Sequence, residues 1–168
     1  PVTAKDFEYR VPLAEGKAKV LSMQVKGPFV RKRRDVMLDV VDHVVQPDTD
    51  QDVLMVSVLE RFGINGNKSL AFCSGWSLKA GAMASSAAPD DNNIIVLGAN
   101  AEDMAVAVNH LIKEGGGQVV VKDGKVLDFL SLPVGGIVCD LEPGEVARRE
   151  DEINTAARLL GCDLPEPL

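Results

Sequence analysis

Apolar residues fall in short runs along this chain, punctuated by Gly, Pro, Asp and Asn. Short apolar runs bounded by such residues predict buried strands. Two stand in the lead-in, Phe7 to Val11 and Ala18 to Val25, with Glu15-Gly16-Lys17 turning between them and Gly27-Pro28 closing the second. Val36 to Val45 (VMLDVVDHVV) reads as one long strand, its apolar run broken by Asp39 and Asp42. Pro47 to Asp52 is turn chemistry, and Val53 to Leu59 is the next strand. From Arg61 to Gly98 the pattern is loop, strand (Lys68 to Cys73), turn (Gly75 to Lys79), small-residue strand (Ala82 to Ala88), polar loop, and strand (Asn93 to Gly98). Val119 to Val121 and Lys125 to Leu130 flank Asp123-Gly124, which predicts a tight hairpin.

The period changes at Asn100. Met104, Val108, Leu111 and Ile112 share one face with Ala101 and Ala105, the spacing of an amphipathic helix to Glu114. Asn100 is a good N-cap, Glu102 and Asp103 suit the first turn, and Gly115 suits the stop. A strand before this helix and a strand after it predict a β-α-β unit. Glu145 to Leu160 forms a second helix on Val146, Ile153, Ala156, Ala157 and Leu160. The fold class expected is α+β or α/β: a mixed sheet of seven or eight strands with two main helices packed on it.

Composition narrows the function. The chain has 168 residues, 46% of them hydrophobic, and a net charge of −7. That length makes one domain with a real core. An acidic surface disfavours nucleic acid and anionic membranes as partners. The basic run Arg31 to Arg34 offers a nucleic-acid patch or a localisation signal on one reading and a solvated turn or strand start on the other. The acidity of the whole favours the second. No apolar run reaches about 18 residues, so no membrane span is expected. Three scattered cysteines, Cys73, Cys139 and Cys162, suit reduced thiols in a cytoplasm.

Several motifs fail on inspection. Asp48, Asp50 and Asp52 imitate the start of a calcium loop, but Val53 stands at the glycine position and Leu59 at the glutamate position. Gly63 to Ser69 imitates a phosphate loop, but Asn67 and Phe62 stand where glycines belong. His43 and His110 are the two histidines, far apart in sequence. A packing or hydrogen-bonding role suits His43, and a solvated one suits His110 on its helix. No cytidine-type deaminase signature and no G-x-S-x-G elbow occur. Ser85 and Ser86 have no sequence-near base; backbone hydrogen bonds in a tight β layer are one reading, support at a ligand or domain interface the other. Asp90, Asp91, Asn92 and Asn93 are the densest polar cluster. They fit either a solvated turn started by Pro89 or a loop facing a ligand.

Gly75-Trp76-Ser77-Leu78-Lys79-Ala80-Gly81-Ala82, Ala84-Ser85-Ser86, Asn93-Ile94-Ile95-Val96, Gly115 to Gly117 and Lys122-Asp123-Gly124 together carry a resemblance. The chain resembles the C-terminal domain of microbial adenine deaminases of the amidohydrolase superfamily. The resemblance implies a hydrolase that converts adenine and water to hypoxanthine and ammonia, breaking the C–N bond of a cyclic amidine. It implies that divalent metal (manganese, iron or zinc) sits in an N-terminal amidohydrolase barrel and not in this stretch. Residues 1–30 would then be lead-in strands or linker from that domain. Residues 31–168 would be the C-terminal-like domain, cut short at its C-terminus; the start at Pro1 without Met agrees with an excised piece. The implied partners are the barrel, a purine, and further copies in a homo-oligomer, with this domain covering the barrel mouth or supporting assembly.

No catalytic or metal-binding residue is expected in this stretch. Ser85, Ser86, Asp90, Asp91, Asn92 and Asn93 are the candidates to face substrate or barrel. The family writes the loop as Ala-His-Asp-Ser-His-Asn, and here Pro89 and Asn92 stand in place of both histidines. That departure points to an alternative: a structural or ligand-binding domain of a related amidohydrolase with a different substrate.

Overall fold

The computed structural model describes residues 1–27, 30–88, 92–165 and 167–168. A turn of 3-10 helix (Ala4–Phe7) leads into strands β1 (Tyr9–Arg10), β2 (Gly16–Gly27), β3 (Val30–Val41), β4 (Val44–Val45), β5 (Leu54–Leu59), β6 (Lys68–Ser74), β7 (Ala82–Ser85) and β8 (Ile94–Gly98). Helix α1 (Ala101–Glu114), β9 (Gly117–Lys122), β10 (Lys125–Ser131) and α2 (Pro143–Leu159) complete the order. The strands make one mixed sheet of ten, β1-β4-β3-β2-β6-β5-β8-β7-β9-β10. Its single parallel pairing joins β2 to β6.

One helix packs on each face. Met104, Val108 and Leu111 of α1 share a core with Ala82, Ala84, Val96, Val119 and Val121. Ile153, Ala156 and Ala157 of α2 share the other with Leu54, Met83, Leu97 and Val120. Successive residues of the central strands therefore bury on opposite sides, so β5, β8 and β9 read as unbroken apolar runs. Each large side chain so buried contributes about 1.5–3 kcal/mol. β3 alternates instead: Leu38 and Val40 are buried with α1, whereas Met37, Asp39 and Val41 face solvent.

The architecture is the expected α+β one, with differences that have physical causes. Ten strands replace seven or eight, and the two-residue strands β1 and β4 make up the excess. The strand expected over Phe7 to Val11 is a 3-10 turn followed by β1. Asp6 accepts from the Thr3 backbone N–H, Thr3 accepts in return, and Phe7 is fully buried beneath. The strand expected over Val36 to Val45 is a hairpin. Asp42 and His43 both take positive φ, 48° and 66°, and reverse the chain into β4. β3 in turn begins at Val30 and takes in the basic run, which lies exposed along it except for half-buried Arg34. β8 and β9 are parallel to each other, but β7 lies between them, antiparallel to both. Ile112, expected on the core face of α1, is half exposed. Residues 16–27, expected in the lead-in, are β2 and pair with β3 along their length. Among the described residues no helix is long and apolar enough to cross a membrane.

Candidate functional site

Ser86 leaves the end of β7 and lies fully buried where three loops meet. Its Oγ donates to the Gly136 carbonyl at 2.6 Å and accepts from the Gly117 N–H at 2.8 Å. The space is closed by glycine: a Cβ on Gly116 would stand 2.4 Å from the Gly136 Cα and 2.8 Å from Ser86 Oγ. Arg61, just beyond β5, ties the same region from outside. Its Nε donates to the Asn92 carbonyl at 2.5 Å, and a terminal nitrogen donates to the Gly135 carbonyl at 2.6 Å. The guanidinium also lies 4.7 Å over the Phe62 ring, a cation–π contact. Asn92 adopts φ 51° and donates its backbone N–H to the Ala88 carbonyl, a left-handed turn that Asn tolerates. Asn93 follows half-buried and feeds β8. Asp90 and Asp91 lie outside the described residues.

Ser85 faces the other way. Its Oγ accepts from the Ala87 N–H at 3.1 Å, and it lines an open basin of about 550 Å³ on the α2 side of the sheet. Val56, Val58, Ala71, Trp76 and Ile95 supply the apolar wall, and Gln118 borders it. The Gln118 Oε1 is shut off from water and accepts no hydrogen bond among the described residues. An unpaired buried acceptor costs about 1–3 kcal/mol, so this atom stands out. A second cleft, about 490 Å³, opens on the α1 side between Arg61, Lys68, Leu111 and Gly116. The candidate residues thus divide. Ser85 belongs to the basin, Ser86 to the glycine junction, and Asn92 to the Arg61 clamp.

The loop after β5 is built on a carboxylate. Glu60 accepts from the backbone N–H groups of Phe62, Ile64, Asn65 and Gly66. The amides that make this stretch resemble a phosphate loop are therefore already filled from within. Partial desolvation pushes the Glu60 carboxyl up, but the four N–H groups together outweigh it and hold the group below the ordinary glutamate value. A depressed carboxyl contributes order above its unfolded pKa and loses it as pH falls through the lower folded value. The Gly66 amide proton should accordingly titrate with a midpoint below that of an ordinary glutamate. NMR across acid pH checks this, and Glu60→Gln should abolish the titration. A midpoint at or above the ordinary value would refute the arrangement.

Asp6 is held at about 2, mainly by Lys68 and then by Thr3. Burial pushes the Cys73 thiol up to about 12, so at neutral pH it is an inert thiol behind the basin. All three cysteines are free.

No three His, Cys, Asp or Glu side chains converge as a metal site among the described residues. The donors present therefore do not fit the divalent metal that the resemblance implies for the enzyme. His43 is exposed, with Nδ1 3.3 Å from the Val11 carbonyl. His110 is not solvated as expected: it is half-buried, edge-on to Phe129 at 4.5 Å, with Nε2 buried and unpaired among the described residues.

Arg61, Glu60 and Gln118 gave no signal as site residues in the sequence. Arg61 binds loops 31 and 74 positions away, so nothing local betrays it. Glu60 could have been read from the turn-forming run after it.

Fold and site define an α+β accessory domain, with polar groups arranged to hold backbone in place rather than to activate a nucleophile. The chain belongs to the adenine deaminase C-terminal domain family, whose model matches residues 28–168. It is 72% identical over 166 residues to adenine deaminase 1 of Desulfotalea psychrophila. It is 53% identical over 167 residues to adenine deaminase 1 of Latilactobacillus sakei, and 52% over 171 residues to adenine deaminase 4 of Rhizobium meliloti. Each of these matches takes in 99% of this chain and 28% of the relative, so the chain spans under a third of the relatives' length.

Proposed function

We propose that this chain works as the C-terminal domain of an adenine deaminase, hydrolysing adenine to hypoxanthine and ammonia together with the rest of that polypeptide. The support is the 72% identity to a protein of that name across nearly the whole chain. Water addition at the ring carbon and loss of ammonia belong to the remaining part, an N-terminal amidohydrolase barrel whose divalent metal supplies the activated water. This domain covers that barrel and supports a homo-oligomer in the cytoplasm, where its free thiols stay reduced.

Within the domain, the segment from Ser85 to Asn93 is the part that meets the barrel. The observation behind this is the Arg61 clamp, which fixes the Asn92 carbonyl from across two loops. A loop shaped only by solvent needs no such support. Arg61→Ala in the full-length protein should lower kcat/KM for adenine roughly tenfold, about 1.4 kcal/mol of transition-state stabilisation, with an unchanged circular dichroism spectrum. Arg61→Lys, which cannot span both carbonyls in one plane, should recover only part. An unchanged rate in Arg61→Ala would remove the loop from the reaction.

A second reading is carried by the loop itself, where Pro89 and Asn92 replace the family's two histidines. On it, the domain serves a related amidohydrolase with another substrate. Ammonia release by the full-length protein from adenine, measured against other cyclic amidines, separates the two.

A further inference from the structure

We propose that the basin on the α2 side of the sheet is a binding site for a purine base, apart from the metal-dependent chemistry. The choice of purine rests on the adenine deaminase reading; the existence and shape of the site rest on the sheet. Register places Val58 opposite Ile95, Ile95 opposite Ser85, and Ser85 opposite Gln118. Four neighbouring strands therefore present one straight row on one face, with side chains about 5 Å apart. Half of the row is an apolar platform, and the other half is a hydroxyl beside a carboxamide. Trp76 stands at the wall.

This is the pattern that a flat heterocycle with one polar edge needs. The platform takes the ring face, and the Ser85–Gln118 pair takes the edge. The Ser85 Oγ accepts from the Ala87 N–H, which leaves its O–H to donate. The Gln118 Oε1 accepts nothing from the described residues, so a half-turn of the carboxamide breaks no bond at that oxygen. A carboxamide pairs with the amino group and adjacent ring nitrogen of adenine, reading one donor and one acceptor side by side. After the same half-turn it equally meets the carbonyl and N–H of hypoxanthine. The basin volume, about 550 Å³, lies within the range of small-molecule sites.

Trp76 is the single tryptophan of the chain and reports on the basin directly. Adenine titrated into the 168-residue chain should change its fluorescence saturably, with hypoxanthine competing. Gln118→Leu should weaken binding roughly tenfold or more, the worth of one bidentate base contact. Ser85→Ala should weaken it less. Ala71 lines the basin and is exposed, so Ala71→Phe fills the site without entering the core and should abolish binding. Circular dichroism melts of each variant establish that it is folded.

Absence of a saturable response to adenine overturns the proposal. So does binding that survives both Gln118→Leu and Ala71→Phe, or equal binding of an apolar ring with no polar edge. Self-association that hides Trp76 and excludes adenine would make the face a contact between copies instead. Deamination by the full-length protein is measured in parallel. A chain that binds no adenine beside an active full-length enzyme sinks the basin alone, and a binding chain beside an inactive enzyme sinks the deaminase reading alone.

Discussion

Gly116→Ala should destabilise the domain by about 4 kcal/mol, whereas Gly115→Ala, one position earlier, should cost only about 1 kcal/mol. Both glycines have positive φ, +125° and +82°, so both substitutions strain the backbone. What differs is the space. Nothing stands within 4 Å of a Cβ on Gly115, the residue that ends α1 in left-handed conformation. On Gly116 the Cβ would meet the Gly136 Cα at 2.4 Å and Ser86 Oγ at 2.8 Å. The first obstacle is backbone and cannot swing aside. Relief requires moving the 135–136 loop or breaking the Ser86 bond to the Gly136 carbonyl, which would leave a buried hydroxyl short of its acceptor. Backbone strain of about 1–3 kcal/mol adds to overpacking of about 1–3 kcal/mol. Urea denaturation of both variants checks the difference. Equal, mild effects would show that the three loops can part freely.

The same junction shows what a sequence can and cannot disclose. Helix α1 was legible because its signals are local: Asn100 caps it, and its Oδ1 accepts from the Asp103 N–H. The β9–β10 hairpin was legible for the same reason, since Asp123 and Gly124 both take the positive φ that such a turn demands. The Asp42-His43 turn demands the same geometry without a glycine, so a continuous strand was the natural reading of that run. Insertion of β7 between β8 and β9 is set by pairing across distant segments, and no local pattern encodes it. Of the candidate site residues, Ser85 and Ser86 were picked out together, yet they serve opposite sides of the sheet. Arg61 and Gln118 were invisible because their partners and surroundings come from elsewhere in the chain.

Asp103→Ala should cost about 3 kcal/mol, through contacts that a helix-cap argument alone would miss. The sequence placed Asp103 in the first turn of α1, where a negative charge gains about 0.3–1 kcal/mol from the helix dipole. The fold gives it more to do. The residue is only 3% exposed, and its carboxylate reaches out of the helix to the β9–β10 turn. Oδ1 accepts from the Gly124 N–H at 2.7 Å, and Oδ2 accepts from the Asp123 N–H at 3.3 Å. Oδ2 also accepts from the Asn100 Nδ2 at 2.9 Å, which holds the capping side chain in place. One carboxylate therefore joins the start of α1 to the hairpin that continues the sheet. Alanine removes all three bonds and uncouples the two elements. Asp123 and Gly124 are exposed, so water replaces part of what is lost and keeps the cost well below that of orphaning buried amides. Asp103→Asn keeps one acceptor oxygen and should lose about half as much. Amide exchange at Gly124 should speed up in both variants, and more in the alanine one. Chemical denaturation showing less than about 1 kcal/mol for Asp103→Ala would mean that the helix and hairpin are held together by packing alone.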